Sequence, residues 1–351
     1  MSNGFFVIRS PINPHTFPQR VCGEGVGIKK ARSLVTRYRI FLISALVVIL
    51  FFASLSVSVS ADESQSFTYA KTYMDILEYY GTTALHQLSK EEFEALHRCL
   101  MGRGFVLGFY NSKSSSNRAT CFVKDPYAHY LDPSSYGMHV RETENGTGSD
   151  FFFHPITSRA VYMRINTFTK RNLVQDDALP FLEAYPRALY TVLDLSGNLG
   201  GLLITAREFV EIFSPGPGML MLESRGRDKS TSYMTYDRGI RNARKTVVIV
   251  DRNSASASEI VTGVLKGWGA EVISTDPATH GKGSVQAVKL VSDGGALVFT
   301  VAQYYFADGT TPEGRGIAPT ITAKKDALTT ALEYLGISPD DRKKLFSVLM
   351  R

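Results

Sequence analysis

The residues best placed to do chemistry in this 351-residue chain lie between positions 251 and 286, which read DRNSASASEIVTGVLKGWGAEVISTDPATHGKGSVQ. The run KTVVIV comes directly before them, and its β-branched residues predict a buried strand. Apolar residues at helical spacing then predict a helix that begins at Ala257. Ser256 therefore falls on a tight turn between the end of a strand and the start of a helix.

A serine on such a turn is suited to nucleophilic attack on a carbonyl group. Its side chain is exposed, and the N–H groups of the first helical turn have no partner within the helix. The N–H group of Ala257 could therefore help to hold the oxyanion that forms during the attack. Ser254 and Ser258 flank Ser256, and the residues alone do not choose among the three hydroxyl groups.

The hydroxyl group of a serine needs a base, and Lys282 is the first candidate. Gly281 and Gly283 flank it, so the backbone can bend and bring the lysine close to another group. An exposed lysine has a pKa of about 10.4, but burial lowers it, and a value of about 7–8 would suit a general base. His280 is the alternative base, although no carboxylate near it in sequence suggests an orienting partner.

The paired motifs SASASEI and GKGSVQ resemble those of the tail-specific, or C-terminal processing, serine peptidases. Members of that family use a Ser–Lys dyad. Three further segments agree with the family in order: DPYAHYLDPSSY at 125–136, RAVYMRINTF at 159–168 followed by TVLDLSGNLGG at 191–201, and VAQYYFADGTTPEGRGIAPTI at 301–321. The resemblance covers residues 120–351, about two-thirds of the chain.

The resemblance implies roles for residues around the serine turn and the lysine loop. It selects Ser256 as the nucleophile and Lys282 as the base, with Gln286 orienting the lysine through a hydrogen bond. It gives the N–H group of Ala257 to the oxyanion hole and a supporting position to Glu259. The mechanism it implies uses neither a metal nor a cofactor. The interval from Ser256 to Lys282 is one residue longer than in the family, and the segment 276–279 is expected to absorb the extra residue in a loop.

A second turn, SGNLGG at 196–201, is implied to provide the other oxyanion donor. Gly200 and Gly201 are both candidates, and the sequence does not choose between them. Asp194 takes a supporting position at the end of the preceding strand. The family has Arg and Pro where this chain has Ser196 and Leu199, so Asp194 lacks the ion-pair partner that this arginine implies in the family.

Strands that alternate with helices predict an α/β fold. The resemblance narrows this to a crotonase/ClpP-like superhelix of β-β-α units over residues 159–351, preceded by a mostly helical segment over 62–137. Family members usually carry a PDZ domain ahead of the core. Only about 22 residues are available here, which is too few for such a domain, so 138–158 is predicted to be a linker.

Charge and hydropathy at the start of the chain indicate export. Residues 1–39 carry an excess of six positive charges, which equals the whole net charge of +6, so the rest is neutral overall and nucleic-acid binding is not expected. Residues 40–61 contain no charged side chain and predict a signal peptide or membrane anchor. An organellar transit segment is the competing interpretation. The positive-inside rule places the residues after 61 outside the cytoplasm, in the periplasm or cell envelope.

The leading hypothesis is thus an exported serine endopeptidase that cleaves the unfolded C-terminal tails of protein or peptide substrates. The missing PDZ domain and the altered turn at 196–201 favour two alternatives. One is an inactive peptide- or lipid-binding protein on the same fold, and the other is an assembly subunit for an active homologue. The sequence does not decide the oligomeric state or the physiological substrate.

Overall fold

The computed structural model describes residues 129–146, 150–237, 239–292 and 294–350, together with Asp75, Glu78, Tyr79, Ala84 and Tyr127. The chain divides into two units, Met1–Asp62 and Glu63–Arg351, and the first lies outside the described residues. The predicted leader and the apolar segment fall there, and most of the predicted helical segment 62–137 is also outside them. No helix in the described ranges is long and apolar enough to cross a membrane.

The described part of the chain contains eleven strands and six α-helices. The strands are β1 (His129–Leu131), β2 (Phe151–Thr157), β3 (Ala160–Ile165), β4 (Tyr190–Asp194), β5 (Leu220–Gly226), β6 (Ser230–Met234), β7 (Thr246–Ile249), β8 (Glu271–Ser274), β9 (Ser284–Leu290), β10 (Ala296–Phe306) and β11 (Ile321–Thr322). The helices are α1 (Pro133–Asn145), α2 (Leu179–Ala184), α3 (Leu203–Glu211), α4 (Ala257–Gly267), α5 (Ala327–Tyr334) and α6 (Pro339–Leu349).

Six strands form a mostly parallel sheet in the order β11-β8-β7-β4-β3-β2, with β2 antiparallel to β3. Its side chains alternate between the two faces, as the two-residue period of a strand requires. Val161 and Met163 lie in a core with helices α3 and α4, whereas Ala160 and Tyr162 lie in a second core with α5 and α6. Helices therefore cover both faces of this sheet, and the predicted α/β class is confirmed.

The other five strands form an antiparallel sheet in the order β1-β10-β5-β6, and β9 also pairs with β10. Strand β10 is the longest of the described strands, and it pairs with β9 along most of its length. Tyr304 on β10 is fully buried in the same core as α4. The strand after Lys282 therefore belongs to the antiparallel sheet, and this sheet packs against α4, the helix that follows Ser256.

The prediction of a linker at 138–158 is wrong, because this segment holds most of α1 and the whole of β2. Helix α1 begins after Asp132, whose carboxylate accepts the N–H groups of Ser134 and Ser135, each at 2.9 Å. None of its residues is buried, so it has no apolar stripe from which to recognise it. Strand β2 lies at the edge of the sheet, where Pro155 is tolerated.

Candidate active site

The chain after strand β7 turns sharply before it enters helix α4. The carboxylate of Asp251 closes the turn by accepting the N–H groups of Asn253 and Ser254, each at 2.9 Å. Ser256 follows with φ +55° and ψ −113°, and it is the one described residue other than glycine with a positive φ. L-residues rarely adopt such a conformation, and it is typical of nucleophiles held on a strand-to-helix turn.

The three serines of this turn differ in what their hydroxyl groups do. Ser254 is fully buried and donates to the carbonyl oxygen of Leu195 at 2.8 Å. Ser258 is also fully buried and donates to the carbonyl oxygen of Asn198 at 2.8 Å. Ser256 is only half-buried and stands at the first turn of α4. Of the three serines, Ser256 is therefore the one whose hydroxyl group is partly exposed.

Asn198 joins the glycine turn to the serine turn. Its side chain is fully buried, donates to the carbonyl oxygen of Ile165 at 2.9 Å and accepts the N–H group of Gly200 at 2.8 Å. Its carbonyl oxygen accepts the N–H group of Ala255 at 2.9 Å. Sequence reasoning missed this residue, although an asparagine that precedes glycines in a turn is a known signal for side-chain capping.

Gly200 packs directly against the serine turn. It has φ +107°, and a Cβ atom added to it would lie 2.7 Å from the carbonyl oxygen of Ala255 and 2.9 Å from the Cβ of Ser256. The same added atom would lie 2.9 Å from the backbone nitrogen of Ala257. Only glycine allows this approach, so the two turns are in backbone contact.

The N–H groups around Ser256 distinguish Gly200 from Gly201. The N–H group of Gly200 already donates to Asn198. Across the described ranges, no hydrogen-bond partner is found for the N–H groups of Gly201 and Ala257. Gly201 is exposed, whereas Gly200 is buried. Of the two predicted alternatives, Gly201 therefore has the available donor.

The carboxylate of Glu259 connects the serine turn with the lysine loop. Glu259 is fully buried, and its Oε2 atom accepts the N–H groups of Ser256 at 2.9 Å and of Lys282 at 2.8 Å. Its Oε1 atom accepts the hydroxyl group of Thr279 at 2.6 Å and the N–H group of Gly281 at 2.7 Å. Four donors thus stabilise one buried charge and hold the two segments together.

Tyr304 makes a second connection between the same two segments. Its hydroxyl group has one proton, which it shares in a three-centre hydrogen bond between the carbonyl oxygens of Ser256 and Lys282, each at 3.2 Å. Burial, with Glu259 and Glu313 nearby, raises the pKa of Tyr304 well above its ordinary value. The hydroxyl group therefore keeps its proton and remains a donor. No local pattern predicts this contact, because residue 304 is distant from both segments along the chain.

The side chains of Lys282 and Gln286 have different partners in the structure. Lys282 is half-buried, and its Nζ atom lies 4.6 Å from the centre of the Tyr127 ring. The Nε2 atom of Gln286 donates to the hydroxyl groups of Ser284 at 2.9 Å and Thr300 at 3.2 Å. These two bonds fix the amide of Gln286 through its nitrogen and leave its oxygen to face other groups.

The loop between β8 and β9 contains the segment 276–279, where the extra residue is predicted to lie. Asp276 pairs with Arg252 at 2.7 Å, and the hydrogen bonds from Arg252 lower the pKa of the Asp276 carboxyl group. Thr279, in the same segment, donates to Glu259. His280 is exposed, and its backbone N–H group donates to the carbonyl oxygen of Ser254 at 3.0 Å. The segment therefore supports the site through its backbone and hydroxyl groups.

Asp194 has the partners that the sequence led us not to expect. Its buried carboxylate accepts the hydroxyl group of Tyr162 at 2.6 Å and the N–H group of Ser196 at 3.0 Å. Arg164, on the neighbouring strand, lies 3.8 Å from the same carboxylate. Burial and the nearby Asp194 charge raise the pKa of Tyr162, so its hydroxyl group stays protonated. Arg164 therefore provides a cationic neighbour for Asp194, in place of the arginine that this chain lacks at position 196.

No group of three or more His, Cys, Asp or Glu side chains that could hold a metal ion occurs among the residues described here. The arrangement offers instead a hydroxyl group on a strained turn, two N–H groups beside it and a lysine in the loop connected to it. Such a set of groups is suited to acyl transfer through a serine.

Comparison with known proteins agrees with this chemistry. Residues 159–323 match the model of Peptidase family S41. The chain is 31% identical over 156 residues to a probable CtpA-like serine protease of Staphylococcus epidermidis, a match that covers 44% of this chain and 30% of the relative. It is 33% identical over 149 residues to the carboxy-terminal processing protease CtpA of Bacillus subtilis, which covers 42% and 31%. The chain thus spans about a third of the length of these curated relatives.

Two solved structures share the fold. A lipoprotein from Streptococcus agalactiae superposes with a TM-score of 0.58 at 13% identity, over 80% of this chain and 99% of that one. A photosystem II D1 C-terminal processing protease superposes with a TM-score of 0.55 at 16% identity, over 79% and 97%. The motifs, the family model and the curated relatives together show that residues 159–323 are similar to Peptidase family S41 and to C-terminal processing serine peptidases.

Proposed function

We propose that this protein is an exported serine endopeptidase that cleaves protein substrates near their C-terminal ends through a dyad of Ser256 and Lys282. The observation that carries the proposal is the shared acceptor: Glu259 Oε2 binds the backbone N–H groups of both residues, at 2.9 and 2.8 Å. Two residues that are distant in sequence are thereby held close together, and a nucleophile and its base must be close for the proton to pass between them.

The reaction begins when neutral Lys282 takes the proton of the Ser256 hydroxyl group. The serine oxygen attacks the carbonyl carbon of the peptide, and the negative charge moves to the carbonyl oxygen. The N–H groups of Ala257 and Gly201 stabilise that oxyanion. Protonated Lys282 then gives its proton to the leaving amine, which produces an acyl-enzyme.

Hydrolysis of the acyl-enzyme repeats these steps with water as the nucleophile. Lys282 removes a proton from water, the hydroxide attacks the ester carbonyl, and the serine oxygen leaves with the returned proton. The amide oxygen of Gln286, which its hydrogen bonds to Ser284 and Thr300 leave available, accepts a hydrogen bond from Lys282 and orients it. Each turnover thus consumes one water molecule and needs no metal or cofactor.

Substrate class and location follow from two different observations. Several relatives carry the name of C-terminal or carboxy-terminal processing proteases, which supports a protein tail as the substrate. An unfolded tail suits a site whose nucleophile lies on a turn, because an extended chain exposes its carbonyl groups. The uncharged segment 40–61 after a basic leader supports export to the periplasm or cell envelope, with this segment as signal peptide or anchor.

The test uses the full chain and an unfolded protein with an apolar C-terminal tail. We expect wild type to release short C-terminal fragments that mass spectrometry identifies, and we expect Ser256→Ala and Lys282→Ala to release none. A serine-directed phosphonate should label wild type at Ser256. Equal cleavage by all three proteins would disprove the dyad. Saturable peptide binding without labelling would indicate the binding protein, and co-purification with an active homologue would indicate the assembly subunit.

A further inference from the structure

The hydroxyl group of Tyr304 is placed where it can set the distance between the two proposed catalytic residues. It is fully buried, comes from the antiparallel sheet, and reaches the carbonyl oxygens of Ser256 and Lys282 at 3.2 Å each. We propose that Tyr304 is a positioning residue that holds the Ser256 turn and the Lys282 loop in register for proton transfer. This inference rests on the proposed function, since it concerns the same dyad.

The backbone groups of Ser256 and Lys282 share their hydrogen-bond partners. Glu259 Oε2 accepts the N–H group of Ser256 and the N–H group of Lys282, and the Tyr304 hydroxyl group donates to the carbonyl group of each. Both residues are therefore held at both ends of their own backbone by the same two side-chain atoms. A shift of either residue relative to the other lengthens at least one of these four bonds.

The two holding atoms come from different parts of the fold. Glu259 lies in the first turn of α4, whereas Tyr304 lies on β10, and its backbone N–H group donates to the carbonyl oxygen of Gly283 at 2.9 Å. Tyr304 thus binds the lysine loop through its backbone and its side chain, and reaches the serine turn through its side chain alone. Its ring packs against Phe306 with centroids 5.8 Å apart, which fixes the direction of the hydroxyl group.

Loss of the hydroxyl group has a local effect that differs from the effect of unfolding. The carbonyl oxygen of Ser256 keeps its bond to the N–H group of Ile260 at 3.0 Å, so the start of α4 stays formed in Tyr304→Phe. The link from β10 to the serine turn is then gone, while Glu259 remains. Because misplacement of reacting groups by 1 Å can cost about 100-fold in rate, we expect Tyr304→Phe to slow the acylation of Ser256 about 10- to 100-fold.

The experiment measures the rate at which a serine-directed fluorophosphonate acylates the full-length protein, per titrated active site, together with kcat and KM for a tail peptide. We expect the fluorophosphonate rate and kcat to fall in Tyr304→Phe while KM stays within about threefold, because the residue does not touch the substrate. The matched control is Tyr305→Phe, the next residue on the same strand. Its hydroxyl group bonds Gln303 at 2.9 Å, away from the dyad, and it should behave as wild type.

A replacement of Tyr304 by 4-aminophenylalanine keeps a donor at the same place and should restore the rate to within about threefold of wild type. If Tyr304→Phe gives no folded protein, the 4-aminophenylalanine variant alone tests the proposal. A wild-type acylation rate in that variant would support the positioning role, and a tenfold loss of rate would contradict it. An unchanged rate in folded Tyr304→Phe overturns the positioning role but leaves the proposed function intact. A wild-type protein that does not react overturns the proposed function itself.

Discussion

The backbone N–H groups of Ser256 and Lys282 donate to the same atom, Oε2 of Glu259, although the two residues lie on opposite sides of helix α4 and strand β8 in the chain. The carboxylate is fully buried and holds a negative charge beside the positive end of α4. The resemblance in sequence implies a supporting role for Glu259, and the geometry shows which groups its carboxylate binds. The carboxylate brings the serine turn and the lysine loop to one point.

Replacement of the Glu259 carboxylate by an amide should destabilise the protein. In Glu259→Gln, one of the two acceptor oxygens becomes a donor, so two of its four buried partners lose their bond. We expect the free energy of unfolding to fall by about 3 kcal/mol, as measured by urea denaturation. The control is Glu223→Gln, which removes an exposed pair with Arg225 and should change stability by less than about 1 kcal/mol. Equal losses of unfolding free energy in the two variants would show that the four bonds to Glu259 do not stabilise the protein more than an exposed ion pair does.

The three neighbouring serines should respond differently to alanine. Ser256→Ala should abolish labelling by a serine-directed phosphonate without a large loss of stability. Ser254→Ala and Ser258→Ala should keep the labelling, and each should lose about 1–3 kcal/mol because a buried carbonyl group loses its donor. Mass spectrometry locates the label, and urea denaturation gives the stabilities. Labelling that persists in Ser256→Ala would assign the nucleophile to another serine.

A methyl group at Gly200 should disturb the site directly. In Gly200→Ala the new Cβ atom meets the carbonyl oxygen of Ala255 at 2.7 Å and the Cβ of Ser256 at 2.9 Å, so the serine turn must move. We expect the phosphonate labelling rate to fall by about 100-fold. The matched variant is Gly197→Ala in the same turn. It has φ +74° and no atom within 4 Å of the added group, so it should cost about 1 kcal/mol of stability and leave labelling unchanged.

The two partners of Asp194 should contribute unequally. Tyr162 is fully buried and bonds the carboxylate at 2.6 Å, so Tyr162→Phe should lose about 2 kcal/mol of unfolding free energy. The Arg164 side chain is 43% exposed and lies 3.8 Å away, so Arg164→Ala should lose less than about 1 kcal/mol. Thermal or urea unfolding compares them. A larger loss in Arg164→Ala would restore the importance of a cationic partner at this turn.

The helix cap at Asp132 predicts a dependence on pH. Hydrogen bonds from Ser134 and Ser135 lower the pKa of Asp132 from 3.8 to about 2. A carboxyl group with a lowered pKa contributes stability that is present above its ordinary pKa and is lost as the pH falls through the lowered value. Asp132→Ala should therefore cost about 1 kcal/mol at pH 7, and this difference should shrink between pH 4 and pH 2. A difference that is constant across this range would argue against the cap.

Local patterns in the sequence are sufficient to predict the strand, turn and helix around Ser256. The β-branched run became β7, and the helical spacing after it became α4, because both signals depend on neighbouring residues. Helix α1 escaped prediction because it buries no residue and has no apolar face. Strand β2 escaped because it lies at a sheet edge and carries a proline.

The candidate site was predictable where residue types carry the chemistry, as for Ser256 and Lys282. It was not predictable where distant segments meet. Asn198 and Tyr304 act through buried contacts with residues about 48–60 positions away, and no local pattern reports such contacts. Arg164 replaces the expected arginine from a neighbouring strand, which becomes visible only once β3 and β4 are paired.

The Glu259 contact also keeps Ser256 and Lys282 close in space whatever the number of residues between them in the chain. The carboxylate accepts the N–H groups of Gly281 and Lys282. A change in the length of the loop before Gly281 can therefore be taken up in that loop without displacing the lysine. The segment 276–279 is where this chain is predicted to hold its extra residue. Within this architecture, we therefore expect Lys282 to keep its place beside the serine turn when residues are added or removed between strand β8 and Gly281.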